Sequence, residues 1–385
     1  MPFTGKKILA FLFLVISSFL IKAQYVQNGN KLIGTGEIGS SHQGDGIDIS
    51  GDGTTMIVGA PIDNSAIGAA WIYIKQGHSW VQQGLKLTPQ GYVGTPRFGY
   101  SVSLSYDGNT AVIGACTDNN GIGTAYIFTR NNGVWTQQQK LVPTGAIGKA
   151  DIGASVTISA DGNTIAIGGE TDNNYIGAVW VFTKTNGIWG QQGSKLVGNG
   201  FINFPEQGIS VSISADGNTI VEGGSHDNSS VGAAWVFQRS NGVWLQQGSK
   251  LVGSGANMLF FGDGQGESVA ISGDATTIIE GSGEYDHGIG AAWVFTQVNG
   301  IWTEQSGKLV AAYPVGASLG QGESVDISYN GDIAVVGAEY DGQNGAGIGA
   351  VLYYYRTNGM WKLMQKISSS DPNGSSNMGE VTAIS

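Results

Sequence analysis

The sequence predicts an all-β protein, a β-propeller built of four-stranded antiparallel blades. Three observations predict it. One turn recurs, as Asp52-Gly53, Asp107-Gly108, Asp161-Gly162, Asp216-Gly217, Asp274-Ala275 and Asn330-Gly331, at steps of 55, 54, 55, 58 and 56 residues. Between the turns lie short apolar runs, rich in β-branched and aromatic side chains and bounded by Gly, Asn and Asp, with no helical period. All ten tryptophans fall into two columns that stand nine residues apart within a unit. A fixed period of this length marks an array of supersecondary units. A lone four-stranded sheet leaves its faces in water, and stacking such sheets around an axis buries them.

The third copy shows each strand. Gly153 to Ser159 is strand A, Thr164 to Gly169 is B, Gly177 to Thr183 is C, and Trp189 to Val197 is D. Asp-Gly between A and B and Asn-Gly between C and D (Asn186-Gly187, Asn241-Gly242, Asn299-Gly300) both predict type I′ hairpins, which need positive φ at both central residues. Trp71, Trp180, Trp235 and Trp293 occupy strand C, where Tyr126 and Leu352 fill the same column in the other two copies. A column that takes Trp, Tyr or Leu asks for bulk, so it reads as packing between sheets. Lys31, Lys86, Lys140, Lys195, Lys250, Lys308 and Lys366 share one place in D, the outermost strand. Lysine there reads as protection of an exposed sheet edge, with a cationic ring as the alternative.

Strand D occurs seven times if Gln27 to Leu32 is counted, and strand A seven times if Gly379 to Ser385 is counted, while B and C occur six times each. This count predicts seven blades, the N-terminal strand closing a last blade that is incomplete in this sequence. A six-bladed ring with two spare strands is the alternative. The whole of 24–385 then forms one propeller domain.

Residues 1–23 read as a secretory signal peptide, with Lys6 and Lys7 ahead of the apolar run Ile8 to Leu20 and a small residue, Ala23, at the cut. The run is too short to span a membrane, so no membrane-spanning segment is expected after its removal. The only cysteine, Cys116, is far from the cut, so a lipoprotein is not expected and no internal disulfide can form. Three of the 18 basic residues and none of the 29 acidic ones lie in 1–23, leaving 15 against 29, a net −14. That balance argues against nucleic acid as a partner. The reading is a secreted or cell-surface protein.

The units resemble FG-GAP repeats, the building block of integrin α-subunit propellers and of many bacterial surface proteins. Phe98-Gly99 before strand A matches the first half and Gly59-Ala60-Pro61 after strand B the second; Gly114-Ala115-Cys116 and Gln207-Gly208 are looser copies. The resemblance implies a propeller used for binding or adhesion. Family members that hold calcium do so in the A–B loop with several carboxylates. Here that loop is Ser105-Tyr106-Asp107-Gly108-Asn109-Thr110, with one carboxylate and too few residues, so no calcium and no other cofactor is expected.

No histidine pair has metal spacing. Ser225-His226-Asp227 lists the residue types of a triad, but consecutive residues cannot relay a proton along a line. Asp118, Asp172, Asp227, Asp286 and Asp341 recur in the B–C loop, as turn formers or as an acidic ring. B–C and D–A loops share one face of the ring. The D–A loops differ between copies, and two carry apolar side chains: Phe201, Ile202 and Phe204, then Met258, Leu259, Phe260 and Phe261. These form a candidate patch for an extracellular protein or glycan, or else tuck beneath their loops. Three functions stay open: a non-catalytic binding or adhesion module, a spacer propeller of a larger surface protein, and a glycan lyase or hydrolase. The last would draw on Glu206, Glu267, Glu280, Glu323 or Glu339.

Overall fold

In the computed structural model, residues 25, 27–255, 264–305, 307–312, 318–342, 348–369 and 377–385 are described. The signal segment lies outside them. Six four-stranded antiparallel sheets follow one another along the chain, each with strands in the order A-B-C-D. They span 46–82, 102–141, 155–191, 210–246, 268–304 and 321–367 and are numbered blades 1 to 6. Blade 3 is representative: A is Ser155–Ile158, B Thr164–Gly169, C Ala178–Thr185 and D Ile188–Gln191. Residues of the inner A strands of blades 1 to 4 line a shared central cavity.

The six blades match the alternative count; the seven-bladed expectation is not confirmed. Neither extra strand forms a ladder. Leu32 instead packs beside Trp71 and Tyr73 of blade 1. Residues 378–385 lie along blade 6 without strand pairing beyond one bridge, Gly349 to Met378. The Ile384 amide donates to Asp326 at 2.8 Å.

The C–D turns have the expected form, with Asn186 at φ 50° and Gly187 at φ 82°. The A–B turns do not. Positive φ falls only on the second turn residue, as at Gly53 (67°), whose N–H reaches the Ser50 carbonyl at 2.7 Å, and at Ala275 (58°) in blade 5. A side-chain box explains the difference. In blade 1 the Ser50 hydroxyl donates to Asp52 at 2.6 Å and accepts from the Thr55 amide at 3.0 Å. The same box holds blades 2 to 5, and Asn330 takes the aspartate's place in blade 6. Burial pushes these aspartates up, but hydrogen bonds from the serine and from the residue after the glycine bring them below their ordinary value.

Strand D breaks early in blades 1, 3, 4 and 5 and rejoins strand C at a single bridge, as Val179 to Leu196. In blades 2 and 6 it runs on, over Val134–Leu141 and Met360–Ile367. The difference is one residue. Gln-Gln-Gly-Ser-Lys carries an extra residue over Gln-Gln-Gln-Lys, and Gly193 takes positive φ (74°) to absorb it.

Blades meet backbone to backbone. A Cβ on Gly59, in strand B of blade 1, would fall on the Gly99 carbonyl at the mouth of blade 2. The same close approach joins Gly114 to Gly153, Gly168 to Gly208, Gly223 to Gly266, Gly281 to Gly322 and Gly337 to Gly379. Around each contact the strand-C bulk is sealed: Trp71, Trp180, Trp235 and Trp293 are wholly buried. Each indole N–H donates to a carbonyl of the preceding D–A loop, as Trp180 to Thr144 at 2.9 Å. Both faces of a blade thus become core only through its neighbours.

Gly114 and Gly190 test the contact, since neither has positive φ. Gly114→Ala drives a methyl into backbone and should cost about 1–3 kcal/mol. Gly190→Ala, with no atom near the new methyl, should leave stability almost unchanged. Thermal unfolding of the two variants checks the difference.

Candidate binding face

The B–C and D–A loops are tied to each other by a buried charge. Asp63, Asp118, Asp172 and Asp227 each open a B–C loop and are wholly buried. The two residues after each aspartate are left-handed, as Asn173 (φ 52°) and Asn174 (φ 57°), a conformation asparagine takes more readily than most non-glycines. One carboxylate oxygen accepts an amide from the D–A loop: Ile38 at 2.7 Å, Val93 at 2.9 Å, Ile147 at 2.7 Å and Ile202 at 2.7 Å. Each carboxylate also pairs with the strand-D lysine of its own blade, Lys86, Lys140, Lys195 or Lys250.

This decides between the two roles left open for the aspartates and corrects one expectation for the lysines. The aspartates form no exposed acidic ring, because a charge this deep survives only when paired. Nor do these lysines guard a sheet edge. Their stems are largely buried, and the ammonium groups stand 5.8, 5.6 and 5.7 Å from the rings of Trp71, Tyr126 and Trp180. Blade 5 departs from the pattern. Tyr285 takes the aspartate's place and meets Lys308 through its hydroxyl, while Asp286 falls one residue later beside His287 in solvent. In blade 6, Asp341 pairs with Lys366.

The tether fixes the loop backbone and leaves the attached side chains outside. Ile38, Val93, Ile147 and Ile202 are 53, 48, 53 and 47 % exposed, one per blade. The sequence reading found only Ile202. The signal for the others was present as Gly-x-Ile/Val in Gly36-Glu37-Ile38, Gly91-Tyr92-Val93, Gly145-Ala146-Ile147 and Gly200-Phe201-Ile202. The D–A loops therefore share a rule where divergence was expected. Of the other patch residues, Phe201 packs down onto the blade 4 core and Phe204 stands in solvent. Met258, Leu259, Phe260 and Phe261 lie outside the described residues.

Toward the axis, one column at the start of strand A reads Asp45, Tyr100, Ala154, Ile209, Glu267, Glu323 and Glu380. Six of these, all but Glu323, line a cavity of about 360 Å³. One side of this mouth is acidic. Burial, then the charges of Glu267, Glu339, Glu284 and Glu380, push Glu323 from its ordinary 4.5 to about 8. Burial and Glu206 push Glu170 to about 7. So Glu267, Glu323 and Glu339 come together as sequence alone could not show, joined by Glu284 and Glu380. Among the described residues, no group of three or more His, Cys, Asp or Glu is placed to hold a metal ion.

The FG-GAP repeat family matches residues 80–128, from Trp80 in strand D of blade 1 to Phe128 in strand C of blade 2. The chain fits the FG-GAP β-propeller family. In FG-GAP terms, the blade contact is the glycine of one repeat's second half against the glycine of the next repeat's first half. The fold is also similar to a crystal structure described as a putative 6-phosphogluconolactonase from Bacteroides fragilis, at 12 % identity and TM-score 0.55, covering 84 % of each chain. That likeness shows the fold alone. No curated protein matches the sequence significantly.

Two further groups of residues resolve against chemistry. Asp227 is committed to Lys250 and Ile202, away from His226. The Ser225 hydroxyl and the Glu206 carboxylate both meet the same His226 nitrogen, Nδ1, at 3.1 and 3.0 Å, so no proton path crosses the ring. Glu280, one of the tempting carboxylates, sits with Glu222 in strand B, wholly buried, opposite Trp293 and Trp235. No donor meets their carboxyl oxygens with good hydrogen-bond geometry, and the nearby Gly198 and Gly253 amides pull only weakly against burial. Burial raises both well above the carboxylate range, so both stay neutral acids where Ile113 and Ile167 stand in blades 2 and 3.

Asp172→Ala should strand Lys195 and release the Ile147 amide, costing about 3–5 kcal/mol; denaturant melts read this directly. Glu222→Ile and Glu280→Ile should each stabilise the fold by about 1–3 kcal/mol. The folded state holds these protons more tightly than the unfolded chain. The wild type therefore loses stability as pH rises above the ordinary value of 4.5, and the variants' advantage should grow as pH is raised through and above that value in thermal melts.

Proposed function

We propose that this chain is a non-catalytic binding module of an exported protein, and that its ligand surface is the B–C and D–A face. The observation that carries this reading is the row of Ile38, Val93, Ile147 and Ile202. Each is held by a buried, ion-paired aspartate, yet each presents its side chain to solvent at about half exposure. A fold that spends a buried charge to fix a loop, and then leaves an aliphatic side chain outside, has built a rigid apolar contact surface. The partner is an extracellular protein or glycan. The A–B loops take no calcium on this reading, because their one carboxylate is already engaged in the turn. An export signal at 1–23 supports a secreted or surface location, and the net negative charge disfavours nucleic acid.

Paired surfaces test the reading. The quadruple variant Ile38→Ser, Val93→Ser, Ile147→Ser, Ile202→Ser is compared on extracellular-matrix protein and glycan arrays with Val134→Ser, Ile188→Ser, Val243→Ser, Ile301→Ser. The second set is even more exposed but follows the C–D turns on the opposite face. The first variant should weaken wild-type array binding by about tenfold or more, and the second should not. Equal loss in both, or loss in neither, overturns the assignment.

A further inference from the structure

Between blades 3 and 4 the face is cut by a separate cavity of about 500 Å³, lined by Tyr175, Asn203, Phe204, Glu206, His226 and Ser229. From this cavity we propose a binding site for a neutral sugar, a mono- or disaccharide unit. It rests on the reading of this face as the ligand surface and names the ligand class at one place on it.

The cavity is built. The Glu206 amide donates to the Tyr175 carbonyl at 2.9 Å, and the His226 amide to the Pro205 carbonyl at 3.3 Å. The D–A loop is thereby clamped to the B–C loops of both blades. Asn203 (φ 67°) and Glu206 (φ 59°) are left-handed; asparagine takes this conformation readily, but for Glu206 it is uncommon and is kept where the surroundings impose it. Tyr175 and Phe204 remain 53 and 61 % exposed, so two aromatic side chains border the cavity with their surfaces unspent. Nothing in the blade core asks for them there.

The chemistry selects among ligands. A sugar ring offers an apolar C–H face and a rim of hydroxyls that both donate and accept. Aromatic side chains meet the first. A carboxylate, an imidazole, an amide and a hydroxyl, all at the cavity, meet the second. Glu206 and His226 are paired at 3.0 Å, and the carboxylate, accepting from the imidazole N–H, raises the imidazole's pKa. The Glu206 carboxylate is thus already engaged by the imidazole and does not stand free for a cationic ligand. Glu284 and Glu267 lie close enough to act on His226, and their field opposes an anionic sugar.

The test is titration of the full chain, by calorimetry and saturation-transfer NMR, with neutral hexoses, N-acetylhexosamines and their disaccharides. Hexuronates serve as the charged comparison. At least one neutral sugar should bind, and Tyr175→Ala, Phe204→Ala and Glu206→Gln should each weaken it by about tenfold or more. Ile188→Ser, after a C–D turn on the opposite face, should leave it unchanged, and near-ultraviolet circular dichroism should show each variant folded. The site is overturned if no neutral sugar binds, if binding ignores Tyr175→Ala and Phe204→Ala, or if hexuronates bind better. Failure here with continued loss of array binding in the Ile38, Val93, Ile147, Ile202 variant removes the sugar site but keeps the face. Sugar binding lost in Tyr175→Ala, with arrays indifferent to that quadruple variant, keeps the site and removes the wider reading.

Discussion

Everything in this molecule hangs on glycine meeting glycine across a blade boundary. Strand B of one blade and the entry to strand A of the next approach so closely that no Cβ fits, from Gly59 with Gly99 to Gly337 with Gly379. Backbone contact is the tightest contact a chain can make, so it fixes the distance and tilt between sheets with little slack. The large residues then have defined space. Trp71, Trp180, Trp235 and Trp293 reach across to a D–A carbonyl because the blades are already close. Residues 378–385 obey the same rule without forming a sheet. Gly379 sits against Gly337, and Ile384 donates to Asp326 just as Leu104 donates to Asp48 in the first pair of blades.

The polar scaffold is subordinate to that packing and could not stand without it. A carboxylate with no exposure is costly, and its pairing with one lysine recovers only part of the desolvation. What the pairing adds is position. The aspartate accepts a D–A amide, the lysine lies near the strand-C aromatic, and the indole of that aromatic donates to the same D–A loop. In blades 1 and 3 the four groups close into a circuit. Loops on such a circuit have fixed backbones, and their side chains can vary without disturbing the blade. Function can therefore diverge from copy to copy while the ring stays constant.

Much of this was legible in the sequence and some of it was not, for reasons that can be named. The period, the strands and the bulk of the tryptophan column are local or repeated, so one chain displays them several times over. The Asp-Gly turn was misassigned because a serine two residues earlier outbids the I′ geometry by binding the aspartate side chain. The lysines were misread because an outer strand suggests an edge, whereas their stems fold back over Trp71 or Trp180 to an aspartate 23 residues away. Asp286 shifted because Tyr285 can meet Lys308 with a phenol in place of a carboxylate. The acidic mouth was the least visible feature. Asp45 and Glu380 are at opposite ends of the chain, and only ring closure makes them neighbours.

That closure also divides the face. Read around the axis, the strand-A column is acidic at Glu267, Glu323, Glu380 and Asp45, then apolar or aromatic at Tyr100, Ala154 and Ile209. The exposed aliphatic row spans the loops leading into blades 1 to 4, and the Tyr175–Phe204 cavity lies between blades 3 and 4. Around Glu323 the neighbouring carboxylates raise its pKa, and those that stay ionised repel anions. An apolar half beside such an arc gives a ligand one orientation in which it gains contact and avoids charge. A ring of near-equal blades would offer every orientation alike. The departure of a few tip residues from the repeat is what breaks that equivalence, and it leaves the glycine contacts beneath untouched.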